Sequence, residues 1–161
     1  MPRTSEVIED AQTLVLLEGL TIPNNVGSIF RNAAGLGVDG LILDPQCADP
    51  LYRMATRVSI GTTLSTPWTR ASNWQDCLAK LKDESFTLFA MTPRSDARDL
   101  TQLSVTPKKW ALIVGGEGGG LSEQTLGFAD ERVKISMANE VDSLNVASAT
   151  AIGIFGLRSK Q

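Results

Sequence analysis

Two glycine-rich stretches have spacings that could cradle a phosphate. Gly35-Leu36-Gly37-Val38-Asp39-Gly40 matches G-x-G-x-x-G letter for letter. A dinucleotide site needs that loop after a strand and before a helix, so that phosphate meets the N–H groups at the helix start. Here a helical pattern at 26–34 comes first and an apolar run at 41–43 follows. The glycines therefore read as a helix stop, where left-handed backbone is wanted. Gly115 to Ser122 reads GGEGGGLS, the spacing of a phosphate loop except that Leu121 stands where the lysine belongs. Without that cation, and with Glu117 turned on the phosphates, nucleotide triphosphate chemistry is disfavoured. The loop still follows an apolar run at 110–114 and enters Leu121-Ser122-Glu123, which can open a helix. In open α/β sheets the ligand crevice lies beyond the carboxyl ends of the strands. Five glycines beside one acid would leave backbone amides and carbonyls bare for a flat ligand there; a flexible turn is the plainer alternative.

The chain has no histidine among its 161 residues, which removes Ser-His-Asp, Cys-His and His-metal schemes together. Cys47 and Cys77 form no CxxC pair, so two unpaired thiols in a reducing compartment are expected. Lys and Arg total 15 against 18 Asp and Glu, a net charge of −3. A polyanion partner must therefore be held by a local patch and not by bulk charge. The opening MPRTSEVIED is polar, so no signal peptide is expected, and no apolar run approaches the roughly eighteen residues of a membrane span. A cytoplasmic protein is the expectation.

The elements that must position any site follow from the apolar pattern. A composition 42% apolar and 20% charged is that of one globular domain. Leu14–Leu17, Leu41–Leu43, Leu88–Met91 and Ala111–Val114 read as buried strands, with Val133–Met137 a weaker fifth. Helical spacing joins Val26, Ile29, Phe30, Ala33 and Ala34; then Leu51, Met54, Ala55 and Val58; then Trp74, Cys77, Leu78 and Leu81. Continuous apolar strands alternating with amphipathic helices predict an α/β fold, a mostly parallel sheet with helices on both faces. A last helix, capped by Asp142 or Ser143, carries a stripe of Leu144, Ala147, Ala151, Ile154 and Phe155. Its small residues Ala147, Ser148 and Ala149 suit either a tight core or close approach of a partner chain. Trp68, Trp74 and Trp110 read as core or interface residues more than as base-stacking platforms.

The strongest polar constellation is spread over three stretches. They are Pro23-Asn24-Asn25-Val26-Gly27-Ser28-Ile29-Phe30-Arg31-Asn32, Ile113-Val114-Gly115-Gly116-Glu117-Gly118-Gly119-Gly120-Leu121-Ser122, and Ile135-Ser136-Met137 through Ser143-Leu144-Asn145-Val146-Ala147. In this order and spacing they resemble motifs one to three of the SpoU (TrmH-like) RNA methyltransferases of the SPOUT superfamily. The resemblance spans roughly residues 14–158.

That resemblance implies an α/β-knot fold with a deep C-terminal trefoil knot, a homodimer, and methyl transfer from S-adenosyl-L-methionine to a ribose 2′-hydroxyl of tRNA or rRNA. It places catalytic roles on Asn25, Arg31, Glu117, Ser143 and Asn145. It places the cofactor cradle on Gly115, Gly116, Ile135 and Leu144, with Met91 and Thr92 lining the same pocket. Methyl transfer from a sulfonium is an in-line displacement that needs alignment, not a metal or an oxyanion hole. Free Arg has a pKa above about 12, so an electrostatic role suits Arg31 better than that of a base. Arg53 and Arg57, four apart on one helix face, would join Arg31 and Arg70 as a phosphate patch for RNA.

The family's motif three usually begins Ile-Pro-Met. Ser136 in place of that proline is expected to loosen the loop. Motif one has Asn24 where other residues are common. The chain reads as a single catalytic domain over 1–161 with no separate N-terminal RNA-binding domain, either a minimal member or a catalytic fragment. A silent RNA-binding protein that keeps the fold without turnover is the competing reading. A nucleotide-cofactor oxidoreductase built on Gly35–Gly40 is a third.

Overall fold

The computed structural model describes residues 4–161. Seven strands are β1 (Thr13–Glu18), β2 (Gly40–Leu43), β3 (Trp68–Arg70), β4 (Thr87–Met91), β5 (Arg98–Asp99), β6 (Trp110–Gly115) and β7 (Glu131–Lys134). They form one sheet in the order β3-β2-β1-β6-β4-β7-β5, and every pairing is parallel. The helices are α1 (Thr4–Glu9), α2 (Pro23–Gly35), α3 (Arg53–Val58), α4 (Thr62–Ser65), α5 (Trp74–Asp83), α6 (Glu123–Phe128) and α7 (Val146–Arg158), with one 3-10 turn at Leu100–Gln102. The α/β sheet fold expected from the apolar pattern is the fold found.

Strand alternation divides the core in two. Val15, Leu17, Leu41, Leu43, Leu112 and Val114 face the layer of α2 and α7. Leu14, Leu16, Ile42, Leu88, Ala111 and Ile113 face α1, α5 and α6. Because both faces are covered, Leu14 to Leu17 are all fully buried, and each contributes about 2 kcal/mol by leaving water. The two thiols belong to these cores. Burial, the largest cause, pushes both Cys47 and Cys77 up to about 12, so they are protonated packing residues.

Several expectations are corrected. The weak fifth strand lies at Glu131–Lys134; the chain leaves the sheet at Ile135, where its backbone lines a cavity instead. β3 and β5 carry no apolar run, being three- and two-residue strands on the sheet's outer side. The stripe Leu51, Met54, Ala55 and Val58 does not face the core: only Ala55 is fully buried, while Leu51 and Met54 are exposed. The cause is the approach of α3 to α2. A Cβ at Gly27 would lie 2.4 Å from the Ala55 carbonyl oxygen, so glycine and alanine meet there and the large side chains point away. The last helix is capped by Asn145, not Asp142 or Ser143; its Oδ1 accepts from Ala147 N at 2.9 Å. Leu144 precedes the helix, Phe155 is 65% exposed, and the buried stripe runs instead through Val146, Ala147, Thr150, Ile154 and Leu157. Trp110 is fully buried, Trp68 meets Phe30 edge-on, and Trp74 donates to Thr125 Oγ1, all structural roles.

Candidate functional site

The two glycine stretches end in opposite ways. α2 stops at Gly35, Gly37 takes φ +70°, and Arg158 at the end of α7 donates to the carbonyls of Leu36 and Gly37. That helix end is closed by a protein cation, as the strand and helix order required. At the other stretch, backbone packs on backbone. A Cβ at Gly115 would lie 2.4 Å from the Gly120 carbonyl carbon, and one at Gly116 would lie 2.3 Å from the Gly19 carbonyl oxygen. Gly116 N donates to Glu18 O, and Gly120 N to Gly116 O, so the loop folds back on itself. Ser122 fixes its far end: its Oγ accepts from Thr125 N as the cap of α6 and donates to Glu18 Oε1 at 2.7 Å.

Beyond the carboxyl ends of β4, β6 and β7 lies a cavity of about 470 Å³, the size range of small-ligand sites. Met91, Thr92, Gly115, Gly116, Ile135 and Leu144 all line it, as do Glu117, Ser143 and Asn145. A smaller cavity of about 120 Å³, lined by Gly19, Leu20, Ile22 and Asn25, shares Gly116, Glu117 and Val146 with the first. Two adjoining hollows with a common polar wall suit two reactants that must meet.

That wall is a hydrogen-bonded network of residues distant in sequence. Asn25 Nδ2 donates to Glu117 Oε1 at 2.9 Å. Asn145 Nδ2 donates to Asn25 Oδ1 at 3.1 Å and to Glu117 Oε1 at 3.2 Å. Since Asn145 Oδ1 caps α7, its amide cannot rotate without losing the cap. α2 supplies Asn25 from its first turn, the β6 loop supplies Glu117, and the start of α7 supplies Asn145. Asn32 draws α2 and α7 together by donating from Nδ2 to Ala147 O at 2.9 Å.

Arg31 stands apart. It is exposed, lines neither cavity, and has no hydrogen bond or ion pair among the described residues. Six residues after Asn25, it lies roughly 120° around α2 from it. Arg53 and Arg57 are likewise exposed on α3 without partners among the described residues. Arg70 does not belong with them. Its Nη1 donates to Asp44 O and Cys47 O, both at 2.8 Å, so it holds the loop after β2 in place of a phosphate.

At Ser136, where a looser loop is expected, the side chain is tied to Asp99 at the end of β5. Asp99 accepts from Ser136 Oγ, from Thr101 Oγ1 and from Thr101 N. The Ser136 bond first, then those from Thr101, hold its carboxyl down to about 2. A hydroxyl tether thus does what a proline ring would do for the backbone. Sequence reasoning missed this tether, the Glu18–Ser122 clamp, and the charged cavity residues Lys134 and Asp142. Only the last two left a signal, charges flanking the third stretch.

Comparison with known proteins agrees with this fold. The model of the SpoU rRNA Methylase family matches residues 12–155. An uncharacterised tRNA/rRNA methyltransferase of Mycobacterium tuberculosis (strain ATCC 25618 / H37Rv) is 46% identical over 156 residues, covering 96% of this chain and 54% of that protein. The 23S rRNA (guanosine-2′-O-)-methyltransferase RlmB of Salmonella typhimurium is 33% identical over 148 residues, covering 92% and 60%. The crystal structure of an AdoMet-bound rRNA methyltransferase from Sinorhizobium meliloti superposes with TM-score 0.88 at 27% identity, covering 95% of this chain and 59% of that one. The chain therefore spans little more than half the length of the relatives it matches.

Proposed function

The chain belongs to the SpoU rRNA methylase family, and we propose from that premise that it methylates a ribose 2′-hydroxyl of tRNA or rRNA using S-adenosyl-L-methionine. The observation that carries this is the wall itself. Asn25, Glu117 and Asn145, from stretches 92 and 28 residues apart, converge between two adjoining cavities.

The residues present fit the cofactor. Gly115 and Gly116 let the loop pack backbone against the backbone of Gly120 and Gly19, which fixes the cavity's edge without side chains. Ile135 and Leu144 face them from the third stretch, with Met91 and Thr92 at the strand end. When bound, S-adenosylmethionine supplies an electrophilic methyl group on a sulfonium. The chain supplies position. Asn25 and Asn145, locked by Glu117, present fixed amide groups to orient the ribose, and Ser143 lines the same hollow. Such alignment removes several kcal/mol of barrier without metal or covalent chemistry. Arg31 stabilises the negative charge that develops on the hydroxyl oxygen and grips the neighbouring phosphate. Arg53 and Arg57 continue that phosphate track.

A homodimer belongs to the same proposal. α7 exposes Phe155 (65%) and Ile152 (42%), an apolar face that a second copy would cover. The trefoil knot and a cytoplasmic setting complete it. Convergence of Asn25, Glu117, Ser143 and Asn145 on the two adjoining cavities supports an enzyme over a silent RNA-binding protein.

The test is calorimetric titration of S-adenosylhomocysteine with light scattering, then a screen of bulk tRNA and rRNA for new 2′-O-methyl groups. One ligand per protomer of a dimer, with methyl gained by one RNA class, is the expected result. A folded dimer that binds no S-adenosylhomocysteine would sink the enzyme reading.

A further inference from the structure

We propose that Lys134 anchors the carboxylate of the cofactor's amino-acid tail. The inference rests on the reading of the 470 Å³ cavity as the S-adenosylmethionine site. Lys134 is the last residue of β7, is half-buried, and is the sole cation among the cavity's lining residues. It makes no hydrogen bond or ion pair among the described residues. The acid opposite it in strand register, Asp99 on β5, is taken by Ser136 and Thr101. Glu131, earlier on the same strand, faces Arg98 at 3.9 Å. A half-buried lysine without a protein partner leaves its ammonium available to pair with a ligand carboxylate.

The charge pattern of the cavity says which ligand group belongs there. Its two lining acids are Glu117, just past β6, and Asp142. Both attract the sulfonium and ammonium of the cofactor and repel its carboxylate. β6 and β7 are separated by β4, two strand spacings or about 10 Å. The cavity is thus polarised, with acid at the Glu117 wall where methyl transfer is placed and the cation at the β7 end. A tail running from the sulfonium toward β7 brings its carboxylate to Lys134 Nζ. The site then prefers adenosine thioethers that carry the amino acid over those that lack it.

The test titrates S-adenosylhomocysteine and 5′-methylthioadenosine, which lacks the amino acid, into the wild-type protein and into Lys134→Met, which keeps most of the aliphatic stem. Lys134→Met is expected to weaken S-adenosylhomocysteine about tenfold or more, 1.4 kcal/mol at least. It should leave 5′-methylthioadenosine within about twofold, and Lys134→Arg should restore most of the difference. Unchanged S-adenosylhomocysteine affinity would assign Lys134 to another partner, such as an RNA phosphate. Equal weakening of both ligands would make it a packing residue. Either result overturns the proposal while leaving the cofactor site standing. A wild-type protein that binds neither ligand removes the underlying site as well.

Discussion

The wall of the cavity and the outer face of α2 and α3 hold polar residues in opposite states. In the wall, Asn25, Glu117 and Asn145 are bonded to one another, and behind the lining Ser122 is bonded to Glu18 and Ser136 to Asp99. On the outer face, Arg31, Arg53 and Arg57 are exposed cations without partners among the described residues. The difference follows from what each region is proposed to meet. A small cofactor has one shape, so groups fixed before it arrives save the cost of ordering them. An RNA backbone brings its own charges, and flexible exposed arginines can find phosphates without being pre-set. Damage to the face should therefore cost turnover without touching cofactor affinity, and damage to the wall should cost both.

Arg31→Ala breaks the comparison at its most sensitive point. Loss of one charge that stabilises a transition state typically costs about 10²- to 10³-fold in rate. Methylation of the substrate RNA should fall by that much, while the Kd for S-adenosylhomocysteine stays within about threefold, well under 1 kcal/mol. Full activity in Arg31→Ala would remove the residue from the mechanism. Gly116→Ala attacks the wall. Its Cβ would lie 2.3 Å from the Gly19 carbonyl oxygen, a backbone atom that cannot step aside. Overpacking of this kind costs about 1–3 kcal/mol, and where that cost falls on the ligand-binding shape S-adenosylhomocysteine should weaken by about 5- to 150-fold. Gly118→Ala, with nothing within 4 Å of its Cβ, is the control and should bind as the wild type does. If both alanines bind alike, the glycine loop is a turn and not a built cradle.

The sequence shows the large features because they repeat. Fully buried strands leave unbroken apolar runs, which is why β1, β2, β4 and β6 are legible while two-residue β5 is not. The reversal of helix and strand around Gly35–Gly40 identifies the false nucleotide site without coordinates, and Arg158 closing that helix end bears it out. The six residues expected to hold the cofactor, four of them within the three motifs, all line one cavity. What stays hidden is pairing across long separations. No local pattern announces that Asn32 reaches Ala147, that Asp99 holds Ser136, or that Arg70 is spent on loop carbonyls. The cap on α7 differs from the expected Asp142 or Ser143 for a related reason. Asp142, Ser143 and Asn145 are all good capping residues, and only tertiary contact with Asn25 and Glu117 selects the third.

Asn145 lets the two tasks of the wall be separated. Asn145→Ala removes a helix cap worth about 1 kcal/mol, so Tm should fall by about 2–4 °C in a domain of this size. It also strips Glu117 of one donor. Asn145→Asp keeps a capping oxygen but sets a carboxylate beside Glu117, where the amide had donated. That variant should keep most of the thermal stability and still lose methylation. If Asp rescues both properties, the amide's contact with Glu117 contributes nothing beyond the cap.

The smallest effect tests the tether that stands in for proline. Asp99 has its carboxyl lowered to about 2 from an ordinary 3.8, first by Ser136 and then by Thr101. A carboxyl lowered by folding stabilises the fold above its unfolded pKa and loses that stabilisation as pH falls through the folded value. The contribution should thus be complete above about pH 5 and fade between about pH 4 and pH 2. Asp99→Asn accepts hydrogen bonds without titrating, so its Tm should fall less steeply with acid over that window. The residue is only partly buried, and the difference in slope will be small. Ser136→Ala should move the Asp99 carboxyl back toward 3.8 and show the same flattening. Ser136→Pro should flatten it too, yet leave S-adenosylhomocysteine affinity intact at neutral pH. That pairing would show that the hydroxyl and the ring are two ways of fixing the backbone between Ile135 and Met137. Loss of affinity in the proline variant would instead mean that the tether to Asp99 sets the shape of the cavity and not merely its stiffness.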